Sequence, residues 1–382
     1  MSEQFFNRLK GELKSIREKN LFREVQLYSK CRLNLCSNDY FQLRHDPRVI
    51  AGAKEACEKY GTGSGASPLL SGFLPCHQSL LDQLKKWKKK SSGMLFNAGF
   101  LANQALRKHL PRKNDLVLAD RLIHHSMAQA LTQGTARFKR YHHLDLDHLE
   151  ELLNANYKDY ETVFVVTESV FSMDGDYPDL KKMVELKKHY SFILILDEAH
   201  GTGVFGKTGA GLAEEMQVQD QVDIIIGTLG KSLASMGAYV LSDSSTVIDF
   251  LINRAGEFIY STFLSPSQVG SAEAALLVLQ SSQNSRDYLQ RVSASFRGMI
   301  GLAEQELITP SSPIIPVLIG DPVKTLELRN SLLQQGIMVG AVRPPTVPPH
   351  TSRLRISLHT NVTEDALEEL GVILKPWIIS QT

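Results

Sequence analysis

An aspartate closes the apolar run Phe192-Ile193-Leu194-Ile195-Leu196-Asp197, and a lysine follows a second such run at Ile224-Ile225-Ile226-Gly227-Thr228-Leu229-Gly230-Lys231. The carboxyl end of a buried strand is where open α/β sheets place their ligands. A lysine among small residues can form a Schiff base with a carbonyl cofactor once its surroundings leave the amine neutral. A buried carboxylate beside it suits pyridoxal phosphate, because it keeps the ring nitrogen protonated and the ring able to absorb electrons. Taken singly, Asp197 and Lys231 read as an unrelated strand end and a surface lysine; their neighbours tip the balance. His124 and His125 follow Asp120-Arg121-Leu122-Ile123 at the start of a predicted helix, where an imidazole can stack on a cofactor ring. Asn97-Ala98-Gly99-Phe100-Leu101-Ala102-Asn103 joins a short strand to a helix, so its free N–H groups offer an anion site for a phosphate. Ser172 and Thr228 add hydroxyls at strand ends.

The same region also imitates a nucleotide site. Gly201 to Thr208 fits G-x-x-x-x-G-K-[ST], and Gly201-x-Gly203-x-x-Gly206 fits the dinucleotide fingerprint. The context is wrong for both. Four residues, two of them acidic, separate the strand from Gly201, and three glycines stand where a helix must begin. Gly201–Thr208 is therefore expected to be a flexible turn, with Lys207 a decoy.

The elements that must hold these residues follow from periodicity. Phe6, Leu9, Leu13 and Ile16 share one face of a helix over 3–20, and further helices are predicted over 46–60 and 74–90. Apolar runs at 116–119, 162–167, 192–196, 222–227 and 238–242 alternate with helical patterns, which implies a largely parallel sheet buried on both faces. A helix over 267–280 leads into a different texture. Strands at 314–319, 337–342 and 354–358 there alternate with helices over 322–335 and 363–376. The fold class is α/β, a mostly parallel central sheet with a smaller C-terminal α+β domain. The expected division is an N-terminal helix and segment (1–45), a large cofactor-binding α/β domain (46–275) and the α+β domain (276–382).

The chain resembles the α-oxoamine synthase family of fold-type I pyridoxal phosphate enzymes from about residue 20 onward. The resemblance rests on Ser37-Asn38-Asp39-Tyr40, Gly61-Thr62-Gly63-Ser64-Gly65, the 97–103 stretch, Ala119-Asp120-Arg121, Ser172-Met173-Asp174-Gly175-Asp176, the 197–203 and 228–231 blocks and Arg353-Leu354-Arg355. It implies that Lys231 forms the Schiff base and moves the substrate Cα proton. Asp197 then pairs with the pyridine nitrogen, His200 contacts the ring hydroxyl and His124 stacks on the ring. Gly99 and Phe100 bind the phosphate, with Ser172 and Thr228 assisting. Arg355 anchors the amino-acid carboxylate, a task for a bidentate guanidinium, and Asn38 is a further substrate-binding residue. The block Arg343-Pro344-Pro345-Thr346-Val347-Pro348 is similar to that of the branch that condenses L-alanine with a pimeloyl thioester in biotin biosynthesis. Thr346, Arg23 and Arg343 would then meet the acyl substrate, carried on coenzyme A or an acyl carrier protein. The resemblance also implies a homodimer with a shared active site, which Thr262 reaches from the neighbouring subunit. Two other readings stay open: a sibling using glycine (5-aminolevulinate synthase or glycine C-acetyltransferase), and a catalytically silent partner subunit. Ala66-Ser67-Pro68 departs from the family pattern, and Pro68 stiffens that loop.

Other features have plainer uses. With 42 basic and 41 acidic side chains among 382 residues, nothing points to bulk nucleic acid as a partner. No apolar run approaches the roughly 18 residues that span a bilayer. The polar, charged start and four cysteines without C-x-x-C spacing fit a cytoplasmic enzyme with reduced thiols. Lys85–Lys90 reads as a solvated helix end, with attraction of coenzyme A phosphates or an acidic carrier protein as a second reading. His142, His143, Asp145, Asp147 and His148 lack tetrahedral ligand spacing, so no metal is expected, and Asp145 reads as a helix N-cap.

Overall fold

The structure, a computed structural model, describes residues 2–25, 27, 31–302 and 311–378. Seven strands form the central sheet: β1 (Ser92–Phe96), β2 (Leu116–Asp120), β3 (Arg137–Tyr141), β4 (Val163–Glu168), β5 (Ile193–Asp197), β6 (Ile224–Thr228) and β7 (Ala238–Ser242). Their order across the sheet is β1-β7-β6-β5-β4-β2-β3. Strands β2 to β6 run parallel, while β7 is antiparallel to both neighbours. Helices cover both faces, so central strands such as β4 are buried along their whole length. Strand β3 escaped the periodicity analysis. It is an edge strand whose Arg137, Lys139 and Arg140 are exposed, so it carries no apolar run.

Helices α1 (Glu3–Glu18), α2 (Pro47–Tyr60) and α3 (Pro75–Lys88) lie where the pattern placed them. Asp46 caps α2 by accepting the Arg48 N–H, with Pro47 at the first helical position. Asp145 likewise accepts the His148 N–H at 2.8 Å, and His148 Nδ1 accepts that of His142 at 3.0 Å. Asp145 and His148 are thus engaged in capping, His143 lies between Asp120 and Asp176, and Asp147 pairs with Lys182, although the ligand atoms of His142, Asp145 and His148 come within 4.8 Å of one another. A solvated lysine tail after α3 is not what the structure has. Lys88 is 1 % exposed and donates to Thr202 Oγ1 (2.8 Å) and the Ala210 carbonyl (2.6 Å). Lys90 is also buried and paired with Asp243. Lys88 is held by the loop after β5 and Lys90 by Asp243 after β7, tertiary contacts invisible to helix-dipole reasoning, while Lys86 and Lys89 are exposed as expected.

Residues 201–206 are likewise buried rather than an exposed flexible turn. The Gly203 N–H donates to the Gly209 carbonyl (2.7 Å), and Gly211 N–H to that of Phe205 (2.9 Å). At Gly203, φ is +85°, which a side chain would strain. Lys207 is exposed at the rim of this loop.

The C-terminal part holds a three-stranded antiparallel sheet, ordered Gly340–Val342, Ser352–Ser357, Ile314–Gly320. The expected strand over 337–342 is two pieces. Ile337–Met338 pairs in parallel with Leu33–Asn34, and the chain then changes partner at Val339. One hydrophobic cluster runs from Leu33 through the central sheet to Leu374.

Candidate active site

The parallel strands end together, and a cavity of about 220 Å³ opens at their carboxyl ends. Its floor is Glu168 and Asp197, which close β4 and β5 at the same register. Thr228 closes β6 beside them, and Lys231 follows in the next turn. The walls are Gly99 and Phe100 at the start of α4 (Gly99–His109), His124 as N-cap of α5 (His125–Gln133), and His200 in the turn after β5.

Both Asp197 oxygens are fixed. Oδ2 accepts from Asn103 Nδ2 (3.0 Å) and Oδ1 from the Ala199 N–H (2.9 Å). His124 Nδ1 meets Ser126 Oγ at 2.7 Å, and its backbone N–H donates to Glu168 Oε1. Tyr40 is fully buried, and its hydroxyl lies 2.7 Å from His200 Nδ1 but 3.4 Å from Asn38 Oδ1. Burial pushes the phenol up to about 12, so it keeps its proton and donates to the nearer nitrogen. That bond leaves the His200 hydrogen on Nε2.

The charges are tuned by burial. It pulls Lys231 down to about 8, with Arg355 adding to the effect and Asp197 and Glu168 opposing it. Burial and then the Lys231 charge hold His200 well below the usual histidine range, and burial lowers His124 also. Glu168 is raised well above an ordinary carboxyl by burial and by Asp197. The site therefore offers a near-neutral amine and neutral imidazoles near pH 7.

The other residues singled out in the sequence stand apart from this cavity. Arg355 is buried and tethered, with Nη2 donating to Asn38 Oδ1 (3.1 Å), Nη1 to Ser357 Oγ (2.6 Å) and Nε to the Ser172 carbonyl. Ser172 thus reaches Arg355 through its carbonyl and does not line the cavity. Thr262 is exposed, and its carbonyl accepts from Asn97 Nδ2 (2.6 Å), which ties it to the entrance of α4. Arg23 Nη2 donates to Thr346 Oγ1 at 3.2 Å, while Arg343 is bonded to the Asn20 and Phe22 carbonyls. Arg23 and Arg343 line a second cavity with Cys36 and Met338. Three polar side chains that line the cavity, Glu168, Asn103 and Ser126, had no role assigned from the sequence, nor had Tyr40 behind His200. Glu168 was readable, since a carboxylate closing an apolar strand in step with Asp197 carries the same signal.

Pyridoxal phosphate fits this donor set. Helix α4 has no side-chain cap at Ala98, so its first N–H groups are free for a phosphate at one end of the cavity. Asp197 stands at the floor, where it would receive a protonated ring nitrogen, and Lys231 lines the same cavity. The Thr228 hydroxyl is engaged within its own turn, donating to the Gly237 carbonyl and accepting the Gly230 N–H, both at 3.1 Å.

The fold and cavity define an enzyme of the large cofactor-dependent transferase class, and comparison with known proteins narrows it. The profile of aminotransferase class I and II matches residues 31–372, and the chain belongs to this family, in its α-oxoamine synthase branch. An 8-amino-7-oxononanoate synthase from Geobacter sulfurreducens is 39% identical over 371 residues, 94% of each chain. A Sphingomonas wittichii serine palmitoyltransferase superposes with a TM-score of 0.88 at 26% identity, covering 97% of this chain and 96% of that one. The 8-amino-7-oxononanoate synthase of Francisella tularensis gives 0.77 at 27% identity, covering 90% and 97%. The serine palmitoyltransferase of S. paucimobilis, at 0.87 and 26% identity over 98% and 97%, carries bound PLP.

Proposed function

We propose that the chain condenses L-alanine with a pimeloyl thioester, on coenzyme A or a carrier protein, to give 8-amino-7-oxononanoate, carbon dioxide and free thiol in biotin biosynthesis. Relatives of that name at 39% and 40% identity, aligned over 94% and 91% of this chain, carry the reading. The cofactor is pyridoxal phosphate, which when bound supplies an electron-accepting ring for the electron pair left at the substrate Cα.

In this reading the neutral Lys231 amine removes and returns the Cα proton. Asp197 faces the ring nitrogen, His200 offers its Nε2–H to the ring hydroxyl, and His124 covers the ring face. The N–H groups of Gly99 and Phe100 hold the phosphate, with Thr228 and Ser172 assisting. Arg355, positioned through Asn38, takes the alanine carboxylate. Arg23, Arg343 and Thr346 receive the acyl chain. We assign residues 46–275 to the cofactor domain and 276–382 to the smaller domain. The active enzyme is a cytoplasmic homodimer in which Thr262 reaches the neighbouring site. Apolar side chains left open in one chain, Leu70 (84 % exposed) and Tyr260 (85 %), support a covering partner.

The test is turnover with alanine and with glycine, each offered pimeloyl-CoA, pimeloyl carrier protein, succinyl-CoA and acetyl-CoA. Alanine with a pimeloyl donor is expected to give the product. Turnover with glycine alone would assign the chain to a sibling activity.

A further inference from the structure

The floor of the cavity poses a charge problem. Glu168 and Asp197 lie side by side on neighbouring strands, 4 % and 5 % exposed. Two adjacent buried carboxyl groups cannot both carry charge; Glu168, raised well above an ordinary carboxyl, yields first, and the one negative charge left still needs a nearby cation. Lys231 cannot be that cation throughout, because its proposed task requires it to be neutral. Arg355 is held on Asn38, Ser172 and Ser357, away from the cavity lining.

Another cation lies behind the floor. Asn103 and Arg107 are four residues apart on α4 and so share one helix face. Asn103 donates to Asp197, and Arg107 lies one turn deeper at 1 % exposure, close enough for its charge to couple to both Asp197 and Glu168. Its Nη2 contacts Met127 Sδ at 2.9 Å, a weak acceptor, while Nε and Nη1 have no hydrogen-bond partner among the described residues. Burying a guanidinium on such terms is costly, and a leucine or methionine would fill the space without that penalty. Packing alone does not account for arginine here.

We propose that Arg107 is a positioning residue of the active site: a permanent buried cation that balances the Glu168–Asp197 pair from behind, so that Asp197 keeps its charge while Lys231 is neutral. The inference rests on the cofactor reading of Asp197 and Lys231. Burial pulls the Arg107 guanidinium down to about 10, still above Lys231, so the balance holds wherever the Lys231 proton resides. The other ionisable groups around the pair are Asp120 at the end of β2, His124 at the start of α5, His200 after β5, Lys231 after β6 and Arg355 from the C-terminal sheet.

The experiment compares the full chain with Arg107→Met and Arg107→Lys. Amine modification of Lys231 in cofactor-free protein is followed against pH by peptide mass spectrometry, and pyridoxal phosphate affinity by equilibrium dialysis. Arg107→Met is expected to move the Lys231 midpoint upward by about one pH unit, since loss of a nearby cation favours the ammonium. It is also expected to weaken cofactor binding about tenfold, and Arg107→Lys to restore most of both. An unmoved midpoint in Arg107→Met, or a lysine variant no better than methionine, overturns the proposal. If Arg107→Met does not fold, the double variant Arg107→Met/Asp197→Asn, which removes the negative charge with the cation, is expected to recover folding; failure to do so also overturns it. The parent reading fails differently: borohydride treatment of unsubstituted, cofactor-loaded protein would leave no pyridoxyl mass on the Lys231 peptide.

Discussion

Removing the Tyr40 hydroxyl tests the local electrostatics most sharply. Tyr40→Phe keeps the ring in its fully buried slot and deletes the donor 2.7 Å from His200 Nδ1. His200 is 5 % exposed, so water cannot readily replace the phenol. An orphaned buried acceptor costs about 1–3 kcal/mol. The ring can instead move its hydrogen to Nδ1, but Nε2 then faces the cavity as an acceptor where the proposed ring hydroxyl needs a donor. The first route lowers stability alone; the second weakens cofactor binding, by about 5- to 150-fold for the same 1–3 kcal/mol. Three measurements separate the routes: urea unfolding, equilibrium dialysis of pyridoxal phosphate, and ¹⁵N shifts of the His200 ring in cofactor-free protein. The unsubstituted protein should show the Nε2–H form, and the variant a mixed or inverted pattern. A variant with unchanged stability, affinity and tautomer would refute the reasoning.

Two further outcomes follow from the same physics. Modification of the Lys231 amine should show a midpoint near pH 8, where burial has pulled it, against roughly 10.4 for an ordinary lysine. A midpoint near the ordinary value would remove the case for a neutral base. His143 sits between Asp120 and Asp176, 2.9 Å from each, and although burial opposes it these carboxylates raise the imidazole to about 9. The folded form thus holds a proton that the unfolded chain releases above about 6.5. Its contribution, roughly 3 kcal/mol, is complete below that pH and is lost as pH rises through 9. Thermal melts from pH 6 to 10 should show this decline, flattened in His143→Gln; equal slopes in both proteins would contradict it.

Much of the site was legible because chemistry and strand position coincide. Asp197, Thr228 and Lys231 follow apolar runs, and a run of that kind ends where a parallel sheet opens to ligands. The strand-to-helix junction at Gly99 announced an uncapped N-terminus in the same way. The polar side chains that tune these groups were not legible. Tyr40 lies 160 positions from His200, and nothing local to either says that they touch. Lys88 and Arg107 each adjoin an exposed lysine, Lys89 and Lys108, and only the tertiary packing shows that both are buried.

Alone, the sequence determined the alternation of strands and helices, the carboxyl-end placement of Asp197 and Lys231, and the failure of the nucleotide motifs. Each is a local property of period, capping and spacing. The tertiary structure decided how charge is distributed around them, because desolvation and ionic coupling depend on distances between residues far apart in the chain. Glu168 beside Asp197, Tyr40 under His200 and Arg107 behind both carboxylates exist as neighbours only once the sheet has formed.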